Sequence, residues 1–183
     1  MQINFTVGSA RSGKSTFSKT WETMHLSKGN KCVVLNEDMI RLAHHGRRYI
    51  HDCESFIHSA SHLFLKTLYL AGYHILYDET NTSVNSIVNI FKVDNLAKPY
   101  IFLEPMSVLE ERARDTNQED LISYGVLKRH CGQIYRLSQY KSKPKPGKYK
   151  VDPIPLIFSD GVPLNSKIDM SNVECRDIYK GYE

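Results

Sequence analysis

The 183-residue chain holds no apolar run approaching the roughly 20 residues of a membrane span, which argues against a helical membrane protein. None of its four cysteines, Cys32, Cys53, Cys131 and Cys175, stands at C-x-x-C spacing. Neither a zinc ribbon nor a dithiol redox motif is therefore indicated, and the thiols read as reduced and structural. The first residues run straight into an apolar strand and a glycine-rich loop, leaving no room for a cleavable leader, so a cytoplasmic location is expected. There is no internal repeat. The remainder is that of a globular protein: 41% hydrophobic and 24% charged, enough to bury one sizeable core. A net charge of +4 leaves a mild basic surplus, compatible with a polyanionic partner.

Strand and helix patterns alternate along the chain. "INFTVG" is a short apolar strand, followed by a helix from Lys14 with Phe17, Trp21 and Met24 on one side and a stop at Gly29 and Asn30. "CVVLN" is apolar on both faces, as in the middle of a parallel sheet. A short helix is expected at about Asp38 to Leu42, then a basic, histidine-rich turn. A longer helix, about Asp52 to Ala71, would bury Phe56, Ala60, Leu63, Thr67 and Leu70 and stop at Gly72. "YHILYDE" is a third strand, about Ser83 to Leu96 a helix, and "KPYIFLE" a fourth strand. Helices at about Ser107 to Asp115 and Asp120 to Tyr140 follow, then the Pro/Lys stretch "KSKPKPGKYK" and a possible last strand in "PIPLIF". Alternation of this kind implies an α/β fold with a parallel sheet covered by helices on both faces. Ligands of such sheets gather at the carboxyl ends of the strands. There lie Gly8, Asn36, Asp38, Asp78 and Asn81.

"GSARSGKST", residues 8–16, reads G-x-x-x-x-G-K-S between a strand and a helix. Gly8 and Gly13 permit a tight turn, and the amides of Ser9, Ala10, Arg11, Ser12 and the helix start through Thr16 can face phosphates. Lys14 brings charge to the outer phosphates of ATP or another triphosphate, and Ser15 offers a hydroxyl to Mg2+. Asp78, or Glu79 beside it, suits a carboxylate that orients the metal. "VVLNEDMIR" places Asp38 just past the second strand, where a kinase needs a base for an acceptor hydroxyl. Arg41, one helical turn on, shares its face and could hold an anionic group. The plainer alternative is a helix cap at Asn36 or Asp38 and a solvated Arg41.

Together "GSARSGKST", "LNEDMIR" and "YLAGYHILYDETNTS" resemble the small P-loop hydroxyl kinases of the polynucleotide 5′-kinase type, over residues 3–81 and more loosely to about 140. The resemblance implies a P-loop kinase fold of four to five parallel strands with a helical lid at about 106–120, in a domain of residues 1–160, and a tail at 161–183. It implies transfer of the γ-phosphate of ATP to a hydroxyl, most simply a nucleic-acid 5′-hydroxyl, with Asp38 as base. It implies an Arg41 that grips the neighbouring phosphate, Asn81 in acceptor binding, and a lid arginine, Arg112 or Arg114, over the migrating group. Departures are an arginine missing near Thr116 and another missing from "NTSVNSIVNIF". Relatives act on nucleosides, sugars, antibiotics or modified bases, so a small-molecule acceptor stays open, as does a nucleotide switch that transfers nothing.

Other features have plainer readings beside functional ones. His58 and His62 have metal-compatible spacing but no third ligand. Arg47 and Arg48, with His44 and His45, make a basic turn that could meet a nucleic-acid backbone. Lys141, Lys143, Lys145, Lys148 and Lys150 with Tyr140 and Tyr149 suit single strands equally with a flexible linker.

Overall fold

A computed structural model describes residues 1–46, 49–114, 122–139 and 157–158. Arg47, Arg48, the lysine-rich stretch and the tail expected at 161–183 lie outside the described residues. The elements are β1 (Gln2–Gly8), α1 (Lys14–Ser27), β2 (Cys32–Leu35), α2 (Glu37–His45), a 3-10 turn (His51–Cys53), α3 (Glu54–Leu70), β3 (His74–Tyr77), α4 (Val84–Val93), β4 (Lys98–Phe102), α5 (Met106–Arg114), α6 (Tyr124–Gln139) and β5 (Ile157–Phe158). The strands run in the order β2-β3-β1-β4-β5, and the pairs β1–β3, β2–β3 and β4–β5 are parallel. The chain divides into two compact units.

The first unit comprises Met1–Thr6, Lys14–Glu79 and Asn89–Lys98. Ile3, Phe5, Ile75 and Leu76 are fully buried in its two inner strands. Each such side chain contributes roughly 1.5–3 kcal/mol. Phe5 meets Phe91 edge to face, with centroids 5.8 Å apart. The Ile3 amide donates to Asp94 Oδ2 at 3.0 Å. Strand register has a functional consequence. Phe5, Tyr77 and Leu35 lie in one row, so Thr6, Asp78 and Asn36 leave the sheet side by side.

Among the described residues, the second unit comprises Val7–Gly13, Thr80–Val88, 99–114, 122–139 and 157–158. Its core is α5 against α6, with Met106, Leu109, Ala113, Leu127 and Cys131 closing over Ala10 and Ile122. Thr82 donates to Gln133 Oε1 of α6 at 2.6 Å. Tyr100 and Ile101 of β4 pair with Ile157 and Phe158 of β5, so the last strand falls within "PIPLIF".

Several expectations are corrected. β2 is an edge strand, not a central one. It is apolar on both faces because α1 and α3 both pack against it, and residue pattern alone does not separate that case from a central strand. On α3 the buried residues are Ile57, Ser61 and Leu65, whereas Phe56, Leu63 and Leu70 are 52%, 65% and 73% exposed. The inward stripe contains a polar residue, Ser61, whose hydroxyl donates to Tyr77 Oη at 3.0 Å. That bond removes the cost of burying it and explains why the more apolar stripe was the wrong choice. On α1, Trp21 is buried but Met24 is exposed. α2 extends to His45, so His44 and His45 form its last turn, closed by Gly46 at φ 71°.

Candidate active site

The loop after β1 has the backbone of an anion cradle. Arg11 and Gly13 hold φ 66° and 90°, conformations that turn successive amides inward. A side chain on Gly8 would come within 2.7 Å of Ser12 Oγ and 2.9 Å of Phe102 Cβ, so glycine is required there. The buried Ser12 hydroxyl has no hydrogen-bond partner among the described residues. Lys14 opens α1, with Ser15 and Thr16 exposed beside it on the helix N-terminus, whose first amides lack intrahelical partners. The donors present therefore fit a triphosphate.

Lys14 is buried, and burial lowers its pKa to about 8, against the pull of Asp78, Glu79 and Asp38. All four residues belong to the first unit. Asp78 and Glu79 take different directions. Asp78 Oδ1 accepts from Thr6 Oγ1 at 3.3 Å, and its carbonyl accepts from Asn36 Nδ2 at 3.0 Å. Glu79 instead turns its carboxyl to the amide of Glu37, at the start of α2. Burial, then the charge of Glu37, pushes the Glu79 carboxyl well above the usual carboxylate range. Of the two, only Asp78 keeps its carboxyl beside Thr6 at the end of the sheet, while that of Glu79 is taken up by the start of α2.

α2 starts where β2 ends because Asn36 caps it, its Oδ1 accepting from the amides of Asp38 at 2.8 Å and Met39 at 3.3 Å. That cap leaves Asp38 on the first turn with its side chain 54% exposed. Arg41, one turn on, is buried and directs four of its five N–H donors to carboxylates. Nη1 donates to Asp38 Oδ1 at 2.6 Å, Nη2 to Glu37 Oε2 at 3.1 Å, and Nε and Nη2 to the two oxygens of Glu54 at 2.9 and 2.7 Å. Burial works against the guanidinium charge, but the bonds and charges of Glu54 and Asp38 outweigh it and raise its pKa. The Arg41 bond in turn lowers the Glu54 carboxyl.

Sequence reasoning missed Glu37 and Glu54. Glu37 lay within the quoted motif, and its i, i+4 spacing to Arg41 was the available signal. Glu54 reaches Arg41 only through the docking of α3 on α2, for which no local signal exists. His58 Nδ1 lies 2.9 Å from Glu37 Oε1, while His62 faces the Tyr77 ring at 6.5 Å. Among the described residues no group of metal-ligating side chains is assembled, these two histidines included.

In the second unit, Asn81 is buried at φ 42°, and the Thr80 carbonyl accepts from the Gly8 amide at 2.9 Å. Arg112 Nη1 donates to the Arg11 carbonyl at 3.0 Å and pairs with Glu104 at 3.2 Å. Arg114 is 81% exposed and, among the described residues, pairs only with Glu110, at 3.7 Å. The structure thus places one of the two candidate arginines on the phosphate loop. No described helix is long and apolar enough to cross a membrane.

Comparison with solved structures shows that this fold is shared with several other proteins. One chain of the Pnkp1/Rnl/Hen1 RNA repair complex superposes with a TM-score of 0.64 at 22% identity, over 81% of this chain and 49% of that one. The APS kinase CysC of Mycobacterium tuberculosis, solved with AMPPNP and APS, matches at 0.51 and 18% identity, over 62% and 69%. A gluconokinase from Sinorhizobium meliloti 1021 matches at 0.51 and 13% identity, over 99% and 91%. The chain spans about half the length of the RNA-repair chains it matches. No family model and no curated protein sequence matches it.

Proposed function

We propose that this protein is an ATP-dependent kinase that transfers the γ-phosphoryl group to a hydroxyl, with the 5′-hydroxyl of DNA or RNA as acceptor. The observation that carries the reading is the half-exposed Asp38 carboxylate, tied at one oxygen by Arg41 and set in one unit with Lys14 and Asp78. A hydrolysing switch needs no oriented carboxylate after β2, whereas a hydroxyl kinase does.

In this reading the loop amides and Lys14 bind the triphosphate. Asp38 Oδ2 accepts the acceptor's proton while its oxygen attacks the γ-phosphorus in line. The bond to the β,γ-bridging oxygen breaks and ADP leaves. Ser15 and Asp78 are the residues that would hold Mg2+, which supplies charge neutralisation on the phosphates when bound. Arg112, whose Nη1 donates to the Arg11 carbonyl, is in this reading the arginine that stabilises the migrating group.

The nucleic-acid acceptor is supported by the motif set at residues 8–81 and by the likeness to a chain of an RNA repair complex. One observation favours a second acceptor class, a small-molecule or nucleoside hydroxyl with no adjacent phosphate. Arg41, expected to grip that phosphate, has a single N–H, on Nη1, not directed at a carboxylate. Label transfer from γ-labelled ATP separates the two. Labelling of a 5′-hydroxyl oligonucleotide and of a nucleoside 3′-phosphate, but not of a 5′-phosphorylated oligonucleotide, supports the polynucleotide reading. Labelling of an unphosphorylated nucleoside at equal efficiency supports the second.

A further inference from the structure

Behind the exposed Asp38 lies a chain of polar contacts that the transfer chemistry above does not use. Glu37 is buried, its side chain 6% exposed, yet both oxygens of its carboxylate are held. Oε2 receives Arg41 Nη2 at 3.1 Å. Oε1 receives the Tyr77 hydroxyl at 3.2 Å and lies 2.9 Å from His58 Nδ1. Tyr77 is itself held by Ser61. At the other end of the chain, Asp38 is tied at Oδ1 by Arg41. The contacts thus run unbroken from the surface of α3 to the surface of α2: His58, Glu37, Arg41, Asp38.

We propose that Glu37 and His58 are positioning residues for the transfer step, acting on Asp38 through Arg41. A single guanidinium faces three carboxylates, and its plane settles where their pulls balance. Glu54 grips one edge of it with two bonds and Glu37 shares Nη2. Glu37 can act as a fixed stop only if its own carboxylate cannot swing, and Tyr77 and His58 pin the far oxygen. Fixing Glu37 fixes Arg41, and Arg41 fixes which Asp38 oxygen is left for the hydroxyl. A buried network of this kind couples its members more strongly than separate surface pairs do. The inference rests on the reading of Asp38 as the base.

His58 is 59% exposed on its side chain, so replacing it leaves the core intact. The test uses the full chain with His58→Ala, His58→Gln, Glu37→Gln and the double variant H58A/E37Q. Two readouts are followed: steady-state transfer to a 5′-hydroxyl oligonucleotide, and the 15N–1H signal of the Arg41 Nε–H. Expected is a kcat about 3- to 10-fold lower in His58→Ala, with KM for ATP and acceptor within about twofold. His58→Gln, which keeps an amide donor, recovers most of the loss. Glu37→Gln lowers kcat further, and the double variant is no worse than Glu37→Gln alone, because His58 acts only through Glu37. The Arg41 signal moves in every variant that loses the contact.

Unchanged kcat and an unmoved Arg41 signal in His58→Ala would overturn the proposal, as would additive losses in the double variant. Should Glu37→Gln not fold, the two His58 variants decide the matter. Should the wild type label no hydroxyl acceptor, the kinase reading fails. The Arg41 signal then reports on the coupling alone, and an unmoved signal in His58→Ala overturns that as well.

Discussion

Arg41 Nη1 donates to Asp38 Oδ1 across 2.6 Å, from a buried guanidinium to a half-exposed carboxylate. One oxygen of Asp38 is thereby held, while the side chain as a whole stays 54% exposed. The arrangement suits holding the Asp38 carboxylate in place more than binding an anion, since the remaining Arg41 bonds go to Glu37 and Glu54.

Glu54 supplies the only two-pronged contact to Arg41 among the described residues. Glu54→Gln is expected to lower kcat about 10-fold, leaving ATP affinity unchanged, because the guanidinium loses its main anchor while the phosphate loop is untouched. Steady-state kinetics with ATP binding measured separately checks this. A rise in the KM for ATP would instead place Glu54 in nucleotide binding.

Asp78→Asn and Glu79→Gln should behave differently. Asp78→Asn removes the charge proposed to serve Mg2+ and is expected to lower kcat about 100-fold, with a raised Mg2+ requirement. Glu79→Gln replaces a carboxyl whose pKa burial raises well above the usual range with an uncharged amide, and keeps an oxygen for the Glu37 amide. Its kcat should stay within about threefold of wild type, with no loss of stability at neutral pH. Mg2+ titrations of activity and denaturant midpoints distinguish these outcomes.

How far these features were legible beforehand follows from how local they are. The phosphate loop is contiguous, and glycines at both ends declare it. Asp38 and Arg41 sit one turn apart on a helix whose cap, Asn36, also precedes it directly. Asp78 and Glu79 are adjacent, and only the direction of their side chains separates them, which no spacing encodes. Glu54 and His58 could not be placed because they arrive on α3. The facing of α3 was misjudged because the inward Ser61 is satisfied by Tyr77, while Phe56, Leu63 and Leu70 remain exposed.

Lys14 carries a pH signature. Its folded pKa is lowered to about 8 from the usual 10.5 of a lysine. Below about pH 8 the lysine is charged in both folded and unfolded chains, so its burial penalty is fully felt. Between there and 10.5 the unfolded chain binds the extra proton, and this group's contribution to stability rises with pH. Phosphates restore the charged form, so ATP binding at about pH 9 should take up close to one proton, and far less at about pH 7. Calorimetry in two buffers of different ionisation enthalpy measures the uptake, which Lys14→Met should abolish.

The two arginines of α5 are predicted to separate. Arg112→Ala removes a contact with the loop carbonyl of Arg11 and should lower kcat about 100-fold. Arg114, highly exposed and paired among the described residues with Glu110 alone, should tolerate alanine with kcat within about threefold. Parallel kinetics of both variants settle the order, and a larger loss at Arg114 would reverse the assignment.

The most direct test of the kinase reading compares wild type with Asp38→Asn in label transfer from γ-labelled ATP to a 5′-hydroxyl oligonucleotide, with ATP binding measured on the same samples. The account predicts transfer by the wild type, a loss of about 100-fold or more in the variant, and ATP affinity unchanged. Equal transfer by both proteins would contradict the assignment of Asp38 as the base.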